Sequence, residues 1–291
     1  MTYWLNGEFR QGAHAIDIAD RGFLLGDGVF ETVLVRNGTA AFLDDHLARL
    51  QKGLSALHIS AGAPADLEEI ISILIKKNGI DGDASLRLTI SRGPSGRGLA
   101  FPDAKEGRPT LLVTVRAAPE PLPEAVSPLS LMASQHRRFE HSVTTQHKTL
   151  NYLDNILARN EALGAGADEA VMLNSKDRVA CASSANIFVI DDQGAVQTPS
   201  VEEGALPGIV RGVLLRALGR IDVEMREAPL DVQALHGGHV FLTNSLIGVR
   251  PAAMLGATGV WPAAPLKILQ RLQSWYEASF LDSLSLKAPT Q

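Results

Sequence analysis

Apolar and polar residues alternate along the first forty or so positions. Tyr3-Trp4-Leu5 and Glu8-Phe9-Arg10 flank Asn6-Gly7, a pair that favours a tight hairpin turn. Residues 32–35 and 40–43 flank Arg36-Asn37-Gly38 in the same way. The stretch between them, 20–32, is glycine-rich and apolar and reads as a packed loop. Three- and four-residue spacing then predicts helices from His46 to about Leu57 and over about 64–78. Residues 85–91 alternate as a half-buried strand, and 109–115 reads as another. Pro119, Pro121 and Pro123 mark a linker. Beyond it, strands are predicted at 130–133, 142–145, 169–173, 177–181, 186–190, 195–197 and 240–245, with helices from Asn151 to about 163, over 206–218 and over 265–284. The pattern is α+β. It divides into a smaller N-terminal domain (1–117), a Pro-rich linker (118–126) and a larger C-terminal domain (127–291).

Composition narrows the class. The chain has 291 residues, 45% apolar and 20% charged, as in an ordinary globular enzyme. A net charge of −5 gives no basic field for nucleic acid. The N-terminus lacks the basic and apolar regions of a signal peptide. No apolar run approaches the roughly 20 residues of a membrane span. The single cysteine, Cys181, fits a reducing, cytoplasmic setting.

Several candidate motifs fail on spacing. His136 to His141 reads H-x-x-x-E-H, and an inverted zinc-protease site needs the histidines one residue closer, so no metal is expected. Gly26-Asp27-Gly28 lacks the third glycine of a dinucleotide fingerprint. Gly93-Pro94-Ser95-Gly96-Arg97 misses the nucleophile-elbow pattern at its last position.

What remains points to one chemistry. Lys148 stands where a predicted strand gives way to a predicted helix. On spacing alone it reads as a solvated charge. Gly208-Ile209-Val210 opens a helix with backbone N–H groups suited to a phosphate. Arg49 lies one turn into a helix, and small polar turns occur at 182–184 and 243–245. A lysine Schiff base with a phosphorylated aldehyde cofactor needs this combination of amine and anion donors.

At this point the sequence resembles the class IV, D-alanine-transaminase-like family of pyridoxal 5′-phosphate enzymes, a two-domain fold type IV architecture. The resemblance rests on 26–32 (GDGVFET), 46–50 (HLARL), 148–151 (KTLN), 168–170 (DEA), 183–188 (SSANIF), Thr198-Pro199 and 206–211 (LPGIVR), in this order. It implies that Lys148 binds the cofactor covalently and shuttles the substrate proton. It implies that Arg49, the backbone of Ile209 and Val210, and the turn at Asn244-Ser245 hold the phosphate, and that Ser183 and Ser184 line the ring. It also implies a homodimer with active sites between the two domains. One position departs from the family. A glutamate that pairs with the pyridine nitrogen is usual five residues before Asn186, and here that position is Cys181.

Within the family, three features resemble aminodeoxychorismate lyases: Thr32 after Phe30-Glu31, the loop containing Ser91-Arg92-Gly93 and Gly96-Arg97-Gly98, and the Asn244 turn. The reaction implied gives 4-aminobenzoate and pyruvate. In that reaction Thr32 would assist proton transfer to the leaving group, Phe30 would contact the substrate, and Arg97 would bind a carboxylate, for which a guanidinium is suited. An aminotransferase for D- or branched-chain amino acids is the alternative within the fold. A catalytically impaired relative that binds pyridoxal phosphate is a second, motivated by Cys181.

Overall fold

The computed structural model describes residues 1–13, 16–96, 98–102, 108–119, 128–257 and 262–285. The chain divides into two compact units. One comprises Met1–Glu120, His147–Asn151 and Asp282–Gln291, and the other Pro121–Gln146 and Tyr152–Leu281.

The first unit runs β1 (Thr2–Leu5), β2 (Glu8–Gln11), α1 (Arg21–Leu25), β3 (Gly28–Arg36), β4 (Thr39–Ala40), α2 (Leu43–Ala56), α3 (Leu67–Asn78), β5 (Ala84–Ser91) and β6 (Thr110–Ala117). The six strands form one antiparallel sheet, ordered β2-β1-β6-β5-β3-β4. Both predicted hairpins form. Asn6-Gly7 and Asn37-Gly38 take positive φ at both turn positions, which Asn and Gly tolerate. Apolar residues on one sheet face (Val29, Val33, Leu86, Leu88, Val113) and on α2 and α3 (Leu50, Leu54, Ile70, Leu74) make the core.

The second unit runs β7 (Leu129–Arg137), α4 (Val143–Gln146), α5 (Leu153–Gly164), β8 (Glu169–Leu173), β9 (Val179–Ala182), β10 (Asn186–Ile190), β11 (Val196–Thr198), α6 (Ile209–Leu215), β12 (Met225–Glu227), α7 (Val232–Gly237), β13 (His239–Asn244), β14 (Gly248–Met254) and α8 (Ala263–Ser285). Its eight-stranded sheet is ordered β12-β11-β10-β13-β14-β7-β8-β9 and mixes parallel with antiparallel pairs. Among the described residues, no helix is long and apolar enough to cross a membrane.

Four expectations differ from the structure. The 20–32 stretch is not a loop. Asp20 caps a short helix by accepting from the Gly22 and Phe23 N–H groups, and Gly28 already begins β3. Residues 142–145 are not a strand, because Thr145 and Gln146 N–H both return to the Ser142 carbonyl and wind the chain into α4. Helix α5 begins at Leu153, and the Asn151 side chain donates to the Gly26 carbonyl instead of capping it. Finally, Lys148 and its immediate neighbours do not belong with the second unit, which flanks them in the chain. Segment 147–151 falls in the first unit, not in the expected C-terminal domain. The reason is backbone pairing with β3, described below. Most of the expected linker lies outside the described residues.

Candidate active site

In the first unit, the two-residue period of β3 separates two sets of side chains. Val29, Glu31 and Val33 face the core and α2, and Phe30 and Thr32 face the opposite way. Lys148 is held at this strand's edge. The Phe30 N–H donates to the Lys148 carbonyl at 3.0 Å, the Leu150 N–H donates to the Gly28 carbonyl at 2.9 Å, and Val29 and Thr149 form an antiparallel bridge. The Lys148 ammonium lies over the Phe30 ring, Nζ 4.2 Å from its centre. Arg87 lies over the same ring at 3.9 Å, and the β3–β5 register sets Arg87 opposite Thr32. An aromatic face favours a nearby cation by about 0.5–2 kcal/mol. One sheet face therefore carries an amine, a hydroxyl, an aromatic ring and a guanidinium.

Helix α2 supplies the other face. His46, Arg49, Leu50 and Gly53 recur on one side of it, and a Cβ at Gly53 would sit 3.0 Å from Val29 Cγ1, so the helix approaches β3 closely. Arg49 donates from Nε (2.8 Å) and Nη2 (2.6 Å) to the two oxygens of Glu31. His46 Nδ1 lies 2.7 Å from Glu31 Oε2.

In the second unit, Ser183 and Ser184 both donate to the buried Glu169 carboxylate, as does Arg159. The Asn155 side chain donates to the Ser183 carbonyl at 2.7 Å. Cys181 is on β9 opposite Met172 and packs with Ala158, Ala162 and Ala170. Burial pushes its thiol up; the Arg138 charge opposes this and the Glu169 charge adds to it. A neutral thiol results.

Ile209 and Val210 are the first residues of α6, whose N-cap Gly208 provides no side-chain partner for the first-turn N–H groups. Asn186 braces the approach by donating to the Leu206 carbonyl at 2.8 Å. A Cβ at Gly208 would sit 2.0 Å from Asn186 Oδ1, so only glycine fits. The Asn244 side chain organises its own turn. It accepts from the Leu246 and Ile247 N–H groups and donates to the Ser184 carbonyl. Ser245 is partly exposed in that turn. Thr243, the register partner of Asn186, has a buried hydroxyl with no hydrogen-bond partner in the described structure. Within the second unit, an uncapped helix start, a turn held open by glycine and an orphaned hydroxyl fit a phosphate group. Within the first unit, Lys148 is an amine of the kind that condenses with an aldehyde. Cys181 does not fit the role of a charged ring partner.

Lys148, Phe30, Thr32 and Arg49 therefore share the first unit, and Cys181, Ser183, Ser184, Ile209, Val210, Asn244 and Ser245 share the second. Arg97 lies outside the described residues. Two groups are added to those read from sequence. Glu169 belongs to a motif that the family resemblance already used, and Arg87 is visible only through its register with Thr32.

A profile of amino-transferase class IV matches residues 28–255. A Methanocaldococcus jannaschii protein named "Putative branched-chain-amino-acid aminotransferase" is 31% identical over 86% of each chain. The aminodeoxychorismate lyase of Bacillus subtilis is 30% identical over 85% of this chain and 84% of its own. The crystal structure of 4-amino-4-deoxychorismate lyase from Pseudomonas aeruginosa superposes with a TM-score of 0.79 at 31% identity, covering 94% of this chain and 97% of its own.

Proposed function

The chain belongs to the class IV aminotransferase family, a family of pyridoxal-phosphate enzymes with the fold type IV architecture, and on that premise we propose that it is an aminodeoxychorismate lyase. The observation that carries this reading is the shared sheet face of Lys148, Phe30, Thr32 and Arg87. It combines a base, a proton-bearing hydroxyl and a carboxylate receptor around an aromatic floor. That set suits an amino-cyclohexadiene carboxylate that loses enolpyruvate.

When bound, pyridoxal phosphate supplies a carbonyl that captures the substrate amine and a ring that withdraws electrons from the adjoining carbon. Lys148 would hold the cofactor, and its amine would take the proton from the substrate ring. Thr32 delivers a proton to the departing enolpyruvate, which becomes pyruvate. Arg87 pairs with a substrate carboxylate, the role first expected of Arg97. Phe30 keeps water from the amine. As the family resemblance implies, Arg49, the Ile209 and Val210 N–H groups and the Asn244-Ser245 turn would hold the phosphate, and Ser183 and Ser184, fixed by Glu169, would line the ring. Cys181, a neutral thiol, gives the ring nitrogen no charged partner. Elimination tolerates this better than transamination does, because aromatisation and loss of enolpyruvate relieve the developing charge. The substrate is a small molecule, and the setting we propose is cytoplasmic.

The test is direct. Purified enzyme supplied with pyridoxal phosphate and aminodeoxychorismate should release 4-aminobenzoate. If it makes none, yet forms pyruvate from D-alanine and 2-oxoglutarate or turns over branched-chain amino acids, the aminotransferase reading replaces the lyase. The Methanocaldococcus jannaschii relative favours that second reading. Protein that binds the cofactor and does neither is the impaired relative that Cys181 would explain.

A further inference from the structure

Glu31 takes no part in the steps above, yet it occupies a position that costs free energy. It lies between Val29 and Val33 on the core face of β3 and is 1% exposed. An apolar residue would fit there at less cost. A buried carboxylate is tolerated only when its charge and lone pairs are matched. Here they are. Burial would raise its pKa, but the Arg49 hydrogen bonds and charge and the His46 bond outweigh burial and hold it at about 2. It is therefore a carboxylate that can only accept, so the neutral His46, whose own pKa is lowered by burial, donates from Nδ1.

Glu31 grips the guanidinium along its Nε–Nη2 edge with two short bonds. A planar fork held along that edge cannot rotate about Cδ–Nε, and its Nη1 is directed away from the carboxylate. His46, one turn earlier on α2, fixes the carboxylate in turn.

We propose that Glu31 is a positioning residue: with His46 it pre-orients Arg49 as a receptor for the phosphate monoester of the cofactor. The proposal rests on the pyridoxal-phosphate reading above and assigns no chemical step to Glu31. Pre-orientation raises affinity because ordering of a long side chain precedes binding.

The experiment is a double-mutant cycle on the full chain. Affinities for pyridoxal 5′-phosphate and for pyridoxal, which lacks the phosphate, are measured by equilibrium dialysis for wild type, Glu31→Gln, Arg49→Gln and the double variant. Glu31→Gln should weaken pyridoxal phosphate by about 10–100-fold, as loss of a supporting partner does at other preorganised sites. Pyridoxal should change by less than about twofold, and Glu31→Gln should add no more than that to the loss in the Arg49→Gln background. Equal loss for both ligands, or a full extra loss in that background, overturns the proposal. If Glu31→Gln alone does not fold, the double variant, which removes both charges together, is compared with Arg49→Gln: equal affinity supports the proposal and weaker binding overturns it. Wild type that binds no pyridoxal phosphate removes the cofactor reading and this inference with it. Wild type that binds while Glu31→Gln matches it overturns this inference alone.

Discussion

Cys181 concentrates the chemistry at the residue scale. It is 4% exposed, in an alanine-rich layer, and burial disfavours the ionised form of its thiol. The native protein should therefore resist a thiol reagent such as DTNB at neutral pH and release one equivalent of chromophore only in denaturant, there being one cysteine. Rapid labelling of the folded protein would contradict the buried, neutral thiol. Glu31 sets a second expectation. Its folded pKa of about 2 lies below the usual 4.5. The stability it contributes is present above about pH 4.5 and is lost as pH falls toward 2. Denaturant midpoints followed across that window should fall less steeply for the Glu31→Gln/Arg49→Gln pair than for wild type, and equal slopes would show that the pair is not linked to folding. Sequence singles out Lys148, Thr32 and Cys181 as candidates because each occupies a fixed place in a motif. It cannot identify Arg87. An arginine alternating with Leu86 and Leu88 reads as solvated, and only the pairing of β5 with β3 sets it beside Phe30.

Among the elements, short-range signals are legible where local chemistry decides and hidden where tertiary partners do. The Asn-Gly hairpins fall where expected because glycine and asparagine set them. The 142–146 turn reads as a strand because Val143, Thr144 and Thr145 have strand propensity. Tertiary bonding overrides it, with Arg138 Nη2 donating to the Thr145 carbonyl at 2.6 Å. Strand β14 escapes a sequence reading because Pro251, opposite Phe241, interrupts its pattern. The turn leading into α6 supports a prediction of its own. Gly208→Ala puts a Cβ 2.0 Å from Asn186 Oδ1, which cannot yield without breaking the bond from Asn186 to the Leu206 carbonyl. The variant should lose about 1–3 kcal/mol of stability, as overpacked sites do, and bind pyridoxal phosphate more weakly. Unchanged melting and affinity would show that the turn has slack.

For the whole molecule, the family and its two-unit α+β fold are legible because motif order survives where local structure is ambiguous. The ownership of Lys148 is not. The segment is flanked in sequence by the second unit, and only hydrogen bonds to a strand far earlier in the chain attach it to the first. The homodimer implied by the resemblance is an expectation at this scale. The first unit exposes four large apolar side chains that such an interface could cover, Ile18 (85%), Phe23 (73%), Leu99 (81%) and Phe101 (58%). Light scattering should return twice the 31.1 kDa chain mass, and a monomer at micromolar concentration would contradict the expectation. The central claim is that Lys148 is the residue that binds pyridoxal phosphate. Borohydride reduction of the cofactor-loaded protein, followed by peptide mass spectrometry, tests it most directly. A reduced phosphopyridoxyl adduct on Lys148, absent from Lys148→Ala, is the predicted result, and a colourless protein with no adduct there would contradict it.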